Sequence, residues 1–356
     1  MTAHLNRLAT AVPASDVHEA FTAFAQSQLG DQRRESILFR RLAAKCGIEH
    51  RYSHVQPTGQ PDGDALDVGG LFVRGRFPDT ATRMRFFERH APVLAAEAVN
   101  RLLTAEERME VSHLIVTCCT GLSSPGLDLE LIDRCGLRSS VERSILGFMG
   151  CYAAINALKL ARHLVRSEPG ARVLIVSAEL CTLHLKESTD LEELLSFLLW
   201  GDGAAACLVT SEPHGFALDR FHAVLAEDTR ELITWKVRNS GFDMLLSGQV
   251  PAAIQDALTR DIDLILDGAP PDDIHLWAVH PGGRSVLDAV ERTLDLPEAA
   301  LSASRDILRR FGNLSSATVL FVLEALLQSA PDGALGCAMS FGPGLVAETM
   351  LFHKVG

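Results

Sequence analysis

The chain has 356 residues, 47% of them hydrophobic, and a formal charge of −12. That is enough apolar material for one large core or two fused ones, and the acidic balance argues against general nucleic-acid binding. No apolar run reaches the length of a membrane span and no charged-then-apolar leader opens the chain, so a cytoplasmic location is expected. The cysteines (Cys46, Cys118, Cys119, Cys135, Cys151, Cys181, Cys207 and Cys337) lack the spacing of a zinc site. They read as free thiols of a reducing compartment, and no metal site is expected.

In chain order, Leu5–Val12 reads as a strand followed by a helix from about Ser15. The most basic stretch comes next, with Arg33, Arg34, Arg40, Arg41, Lys45 and Arg51. Arg41 and Lys45 are four apart, which predicts a shared helix face suited to a phosphate-bearing ligand. Pro57, Pro61 and Pro78 mark residues 53–80 as a loop region within a domain. A helix is predicted over Thr82–Leu103 and a buried strand over His113–Cys119. Further buried strands are expected at 171–177, 203–210, 274–280 and 334–340, alternating with helices. That alternation predicts an α/β protein.

Sliding the chain along itself by 162 residues reveals a faint duplication. His113-Leu114 with Gly121 falls on His275-Leu276 with Gly283, Gly150-Cys151 falls on Gly312-Asn313, and Leu158 and Leu164 fall on Leu320 and Leu326. The implied architecture is two βα halves related by a pseudo-two-fold, divided as residues 1–212 and 213–356. The first half carries a cysteine at the first turn of a buried helix, where the helix dipole and free N–H groups favour the thiolate. The symmetry brings the helix starts carrying Cys151 and Asn313 face to face, with His280 at a strand end beside them. Binding loops collect at such strand ends.

The segments around these residues resemble the thiolase-fold condensing enzymes, and specifically the type III polyketide synthases of the chalcone synthase-like family. Gly147-Phe-Met-Gly-Cys151 resembles the nucleophile segment, Trp277-Ala-Val-His280-Pro-Gly-Gly the histidine segment, Gly312-Asn313-Leu-Ser315-Ser-Ala the asparagine segment, and Ser340-Phe341-Gly342-Pro343-Gly344 the glycine-rich loop near the active-site floor. Gly201-Asp202-Gly203 matches a family turn. The resemblance implies a thiolase-like fold with a five-layer αβαβα core and a homodimer. It implies that an acyl-CoA starter is loaded on Cys151, whose thiolate His280 holds as an ion pair. Malonyl-CoA then extends it by iterative decarboxylative Claisen condensation, with His280 and Asn313 as the oxyanion hole, before cyclisation to a pyrone or resorcinol-type product. No metal or organic cofactor is implied, and no carrier protein.

The same resemblance places Arg41, Lys45 and, in addition, Arg40 at the CoA phosphates, and Ser285 by the pantetheine arm. It assigns Cys119, Thr120, Cys181, His184, Trp200, Trp235, Met244, Ser315, Phe341, Gly342 and Pro343 to the substrate pocket. The family's gatekeeping phenylalanines correspond to Trp200 and Met244, a pocket glycine to Trp235 and a cavity threonine to His184. These departures point away from a flavonoid-type starter. The wording around Leu180-Cys-Thr-Leu-His184 is similar to bacterial members that extend aliphatic acyl starters to alkylpyrones or alkylresorcinols. The competing expectations are a ketoacyl-carrier-protein synthase III of fatty-acid initiation, which stops after one condensation, and a non-catalytic thiolase-fold subunit.

Overall fold

The structure is a computed structural model that describes residues 1–60 and 63–356; Pro61, part of the expected loop, lies outside the described residues. The N-terminal elements are β1 (His4–Ala11), β2 (Ser15–Asp16), α1 (His18–Gln28), α2 (Arg33–Ala43), β3 (Tyr52–Ser53), α3 (Thr80–Leu102), α4 (Ala105–Glu110), β4 (His113–Cys118), α5 (Leu127–Cys135), β5 (Glu142–Gly147), α6 (Ala153–Ser167), β6 (Val173–Leu180), α7 (Leu191–Phe197) and β7 (Asp202–Thr210). The C-terminal elements are β8 (Gly215–Leu225), β9 (Ile233–Arg238), β10 (Gly241–Leu246), α8 (Val250–Ile265), β11 (Leu276–Val279), α9 (Arg284–Thr293), α10 (Ser302–Phe311), α11 (Thr318–Ser329), β12 (Leu335–Gly342) and β13 (Val346–Val355).

The duplication is real at the level of elements. At the offset of 162, β6 superposes in sequence on β12 end to end, and α6 covers the turn at Ser315–Ala317 together with α11. Each half repeats one pattern: parallel pairing of β4 with β6 or of β11 with β12, then antiparallel strands leading to β1 or β8. Two short pairings, His4↔Ala217 and Leu5↔Phe216, join the halves into a nine-stranded sheet among the described residues, ordered β11-β12-β13-β8-β1-β7-β6-β4-β5.

The layers follow from which strand residues face which helices. Ile115, Val173, Ile175, Ala278, Ala338 and Met350 pack on α6 and α11, which form the central layer between the halves. The opposite faces are covered separately. Leu114, Val116, Leu174 and Val176 meet Leu94, Ala95, Val99 and Leu131 of α3 and α5. Trp277, Val279, Cys337 and Met339 meet Ile254, Leu258, Leu287 and Leu308 of α8, α9 and α10. Strands buried on both faces read as continuous apolar runs, which is why they were legible without alternation. This is the five-layer αβαβα arrangement of a thiolase-like fold.

Local departures from the sequence expectation have simple causes. The segment from Ser15 is a short strand paired to Tyr52–Ser53, and the helix starts at His18. Helix α2 ends at Ala43, before Gly47 turns the chain with φ +78°. Arg41 and Lys45 therefore do not share a helix face; Lys45 sits in the turn beyond it.

Candidate active site

The segments that follow the C-terminal ends of β4, β5, β6, β11 and β12 meet, and the expected triad collects there. Cys151 lies in the 3-10 turn Gly150–Tyr152 that leads into α6, one turn ahead of the helix position expected from sequence. Gly150 has φ +78°, and a Cβ there would lie 2.4 Å from Pro343 Cδ. The backbone thus needs glycine for both conformation and closeness. Its N–H donates to Cys119 Sγ at 3.0 Å, and Tyr152 Oη donates to the Pro343 carbonyl at 3.2 Å, so both sides of the turn are held.

Asn313 is held as firmly. Its backbone N–H donates to the Leu199 carbonyl at 2.7 Å, and its own carbonyl accepts from Gly201 N–H at 3.0 Å. A Cβ on Gly312 would lie 2.6 Å from the Leu199 carbonyl, and one on Gly201 would lie 2.5 Å from the Phe311 carbonyl. The Gly201-Asp202-Gly203 turn therefore exists to let β7 approach the asparagine segment. The Asn313 side chain accepts from Ser315 N–H at 2.8 Å and donates to the Gly282 carbonyl at 3.2 Å. One amide hydrogen remains for a ligand.

His280 follows β11, and its backbone N–H donates to the Met339 carbonyl at 2.8 Å. Its ring is 1% exposed, and among the described residues neither ring nitrogen has a hydrogen-bond partner. Burial pushes its pKa down to about 3, so the imidazole is neutral. Cys151 is partly exposed, opening on the cavity. Burial pushes its thiol up to about 12; the Ser315 hydroxyl 4.0 Å away opposes this because it can donate to the thiolate, the Glu179 charge adds to the rise, and the Asn313 side chain also opposes it. No hydrogen bond joins Cys151 to His280 among the described residues. Burial disfavours either charge taken alone.

These groups line an apolar cavity of about 30 Å³, with Cys151, His280 and Asn313 on one side and Trp200, Trp235, Met244, Phe341 and Pro343 around it. The two indoles meet edge to face, 5.8 Å apart at 85°. Strands β9 and β10 supply Ile233, Thr234, Leu245 and Leu246 as its cover. Sequence reading missed this hairpin, although Asn239-Ser-Gly241 between two apolar runs is a turn signal. Leu246, Val250, Gly282 and Val286 also border a second, open groove of about 620 Å³, so the two spaces adjoin.

Other expected residues are placed differently. Lys45 and Ser285 line the groove together with Arg284, which sequence reading missed, whereas Arg40 and Arg41 do not line it. Cys119, Thr120, Cys181, His184, Ser315 and Gly342 are not on the cavity wall. Cys119 and Gly342 pack behind the nucleophile turn. Cys181 is packed among Leu185, Phe197 and Trp200. His184 donates from Nε2 to the Thr120 carbonyl at 2.7 Å, accepts from Phe242 N–H at 3.2 Å and stacks on the Phe242 ring. Both its nitrogens are used, and burial holds it neutral near a pKa of about 3. Thr120 instead serves Glu179, a fully buried carboxylate with no local sequence signal. Glu179 accepts from Thr120 Oγ1 at 2.8 Å, from Cys119 N–H at 2.9 Å and from the Ser316 hydroxyl. Burial raises its pKa despite these bonds.

Known proteins carry the same organisation. The family profile of chalcone and stilbene synthases, N-terminal domain, matches residues 5–213, and that of the C-terminal domain matches residues 221–356. The alpha-pyrone synthesis polyketide synthase-like Pks18 of Mycobacterium tuberculosis is 31% identical, over 98% of this chain and 90% of that protein. Bisdemethoxycurcumin synthase of Oryza sativa subsp. japonica is 33% identical, over 88% of this chain and 82% of that protein. Among solved structures, the C-terminal type III polyketide synthase domain of Steely1 from Dictyostelium shares the fold with a TM-score of 0.90 at 22% identity, covering all of both chains. PKS-I of the brown alga Ectocarpus siliculosus has a TM-score of 0.85 at 27% identity, over 99% of this chain and 98% of that chain. With both halves matched and the thiolase-like fold in place, the chain belongs to the chalcone and stilbene synthase family of type III polyketide synthases, the condensing acyltransferases, and not to the fatty-acid initiation enzymes.

Proposed function

We propose that this enzyme loads an acyl-CoA starter on Cys151, extends it with malonyl-CoA, and releases a pyrone or resorcinol-type product. One observation carries the reading: Cys151, His280 and Asn313 converge on an apolar cavity that adjoins a groove bearing Lys45, Arg284 and Ser285. The groove accommodates the CoA moiety, with the two basic side chains toward its phosphates. Arg40 and Arg41, exposed on α2 outside the groove, have at most a long-range part in drawing the anionic substrate in.

The thiol is neutral at rest, so its proton passes to His280 as the sulfur attacks the starter thioester. The tetrahedral intermediate collapses, CoA leaves as its thiolate, the acyl group stays on sulfur and the proton stays on His280. Malonyl-CoA then places its thioester oxygen against the His280 N–H and the free Asn313 amide hydrogen. These donors stabilise the enolate that forms as carbon dioxide departs. The enolate carbon bonds to the acyl carbon and the Cys151 sulfur leaves as thiolate; that thiolate then attacks the extended CoA thioester and expels CoA, which returns the chain to sulfur for the next round. Each step balances without metal or redox chemistry.

The apolar lining favours an aliphatic starter, and the relative named for alpha-pyrone synthesis favours a pyrone outcome. A homodimer is consistent with β5, an edge strand whose Ile145 is 49% exposed beside Leu122 at 52%; pairing two such edges would cover both. No helix among the described residues is long and apolar enough to cross a membrane; a cytoplasmic location supplies the CoA thioesters.

The test is mass spectrometry of products from malonyl-CoA and a graded panel of acyl-CoA starters without carrier protein. Several malonyl additions, abolished in Cys151→Ala, support the proposal. A single condensation that requires malonyl-carrier protein, or chain extension by the Cys151→Ala variant, overturns it.

A further inference from the structure

At the opposite end of the parallel strands lies a group of side chains that the condensation does not use. His113 opens β4 and Glu142 opens β5, and the two are direct partners in the parallel ladder. Glu168 caps the end of α6 against them. Five residue steps separate His113 from Cys118 at the active-site end of its strand, about 17 Å at roughly 3.3 Å per residue. His113 Nε2 is 3.6 Å from a Glu142 carboxylate oxygen and 3.8 Å from one of Glu168, and the three donor atoms lie within 4.8 Å of one another.

The histidine carries the inference. Its side chain is 5% exposed, and Nε2 has no hydrogen-bond partner among the described residues. Nδ1 lies 2.8 Å from Ser112 Oγ. That hydroxyl donates to the Arg172 carbonyl at 3.3 Å and accepts from Arg172 N–H at 2.9 Å. With the Ser112 hydroxyl on the Arg172 carbonyl, Nδ1–H can donate to its oxygen, the tautomer that leaves the Nε2 lone pair for a ligand. An unpartnered, buried ring nitrogen facing two carboxylates, with its other nitrogen on a second partner, is the arrangement of a ligating histidine. The nearby Arg172 guanidinium does not compensate the carboxylates, since it pairs with Glu110 and Glu212.

We propose that His113, Glu142 and Glu168 bind one divalent transition-metal cation of the zinc or nickel class, bridging the starts of β4 and β5 to the end of α6. One imidazole with two carboxylates suits these borderline cations better than calcium or magnesium. Tetrahedral bonds of about 2.1 Å place donors about 3.4 Å apart. The observed spacings need only a small closure, which the glutamates, 72% and 56% exposed, supply by side-chain rotation. Water completes the shell. The role is structural: the cation binds the folded arrangement and not the unfolded chain, so it raises the melting temperature.

The test titrates Zn²⁺ and Ni²⁺ into chelator-stripped protein by calorimetry, with Co²⁺ absorption as a probe of coordination. It is run in the wild type and in Cys151→Ala, which removes binding at the reactive thiol. The expected result is one equivalent bound in both, a metal-dependent rise in melting temperature, and a loss of affinity of about tenfold or more in Glu142→Gln/Glu168→Gln. The metal-free melting temperature and polyketide formation of that double variant should match the wild type, because neither carboxylate lines the cavity or the groove and each Gln keeps the shape of the Glu it replaces. Binding unchanged in the double variant, or none up to about 1 mM cation, overturns the proposal.

Discussion

Replacing Gly150 by alanine tests whether the nucleophile turn is as constrained as its geometry implies. The residue has φ +78°, and its new Cβ would sit 2.4 Å from Pro343 Cδ and 3.0 Å from Cγ. Carbon atoms prefer about 3.5–4.0 Å, so the overlap with Cδ is about 1 Å or more, against a ring that cannot rotate away. The left-handed backbone costs an L-residue about 1–2 kcal/mol, and overpacking a fixed site typically costs about 1–3 kcal/mol; together they predict a loss of about 2–5 kcal/mol. Gly136→Ala is the control. That glycine caps α5 at φ +65° with nothing within 4 Å of an added Cβ, so only the backbone part applies. Urea unfolding of both variants separates the clash from the strain. Relief of the clash must move Pro343 or the turn carrying Cys151, and a misplacement of about 1 Å at a reacting group costs about 100-fold in rate. If Gly150→Ala loses no more stability than Gly136→Ala, or keeps full condensation activity, the account of the nucleophile turn is wrong.

Trp235→Ala removes one of the two indoles that narrow the cavity; turnover of long acyl starters relative to short ones should rise by about tenfold or more, read by competition in product mass spectra. Because burial holds the Cys151 thiol near a pKa of about 12, its alkylation by iodoacetamide should rise steadily with pH from 6 to 9; a plateau below pH 7 would reveal a resting thiolate–imidazolium pair. Asp202 is buried, and its pKa is raised from 3.8 to about 7 although it accepts two bonds from Thr182. The folded protein therefore holds a proton there that the unfolded chain releases, and its contribution is lost as pH rises from about 4 through 7. Asp202→Asn should flatten that part of the stability–pH curve measured by thermal unfolding, and an unchanged slope would refute the assignment.

The sequence by itself determined the α/β class, the two related halves and the segments that carry Cys151, His280 and Asn313. The reason is that these are local or in-register properties. Strands buried on both faces must be apolar throughout, and a duplicated framework keeps its spacing: β6 and β12 still coincide at an offset of 162 residues. Tertiary structure alone decided how the side chains between those segments are used. His184 looks like a cavity residue until Thr120 and Phe242 are seen to consume both its nitrogens. Glu179 has no motif, because its donors come from Cys119, Thr120 and Ser316, on segments up to 137 residues away. Arg41 and Lys45 part company where α2 ends, and Arg284 reaches the groove from another helix. The protonation of Cys151 and His280 was likewise undecided by residue type, since burial and partner distance set it. Spacing along the chain specifies which residues can meet; only packing specifies what each is left free to bind.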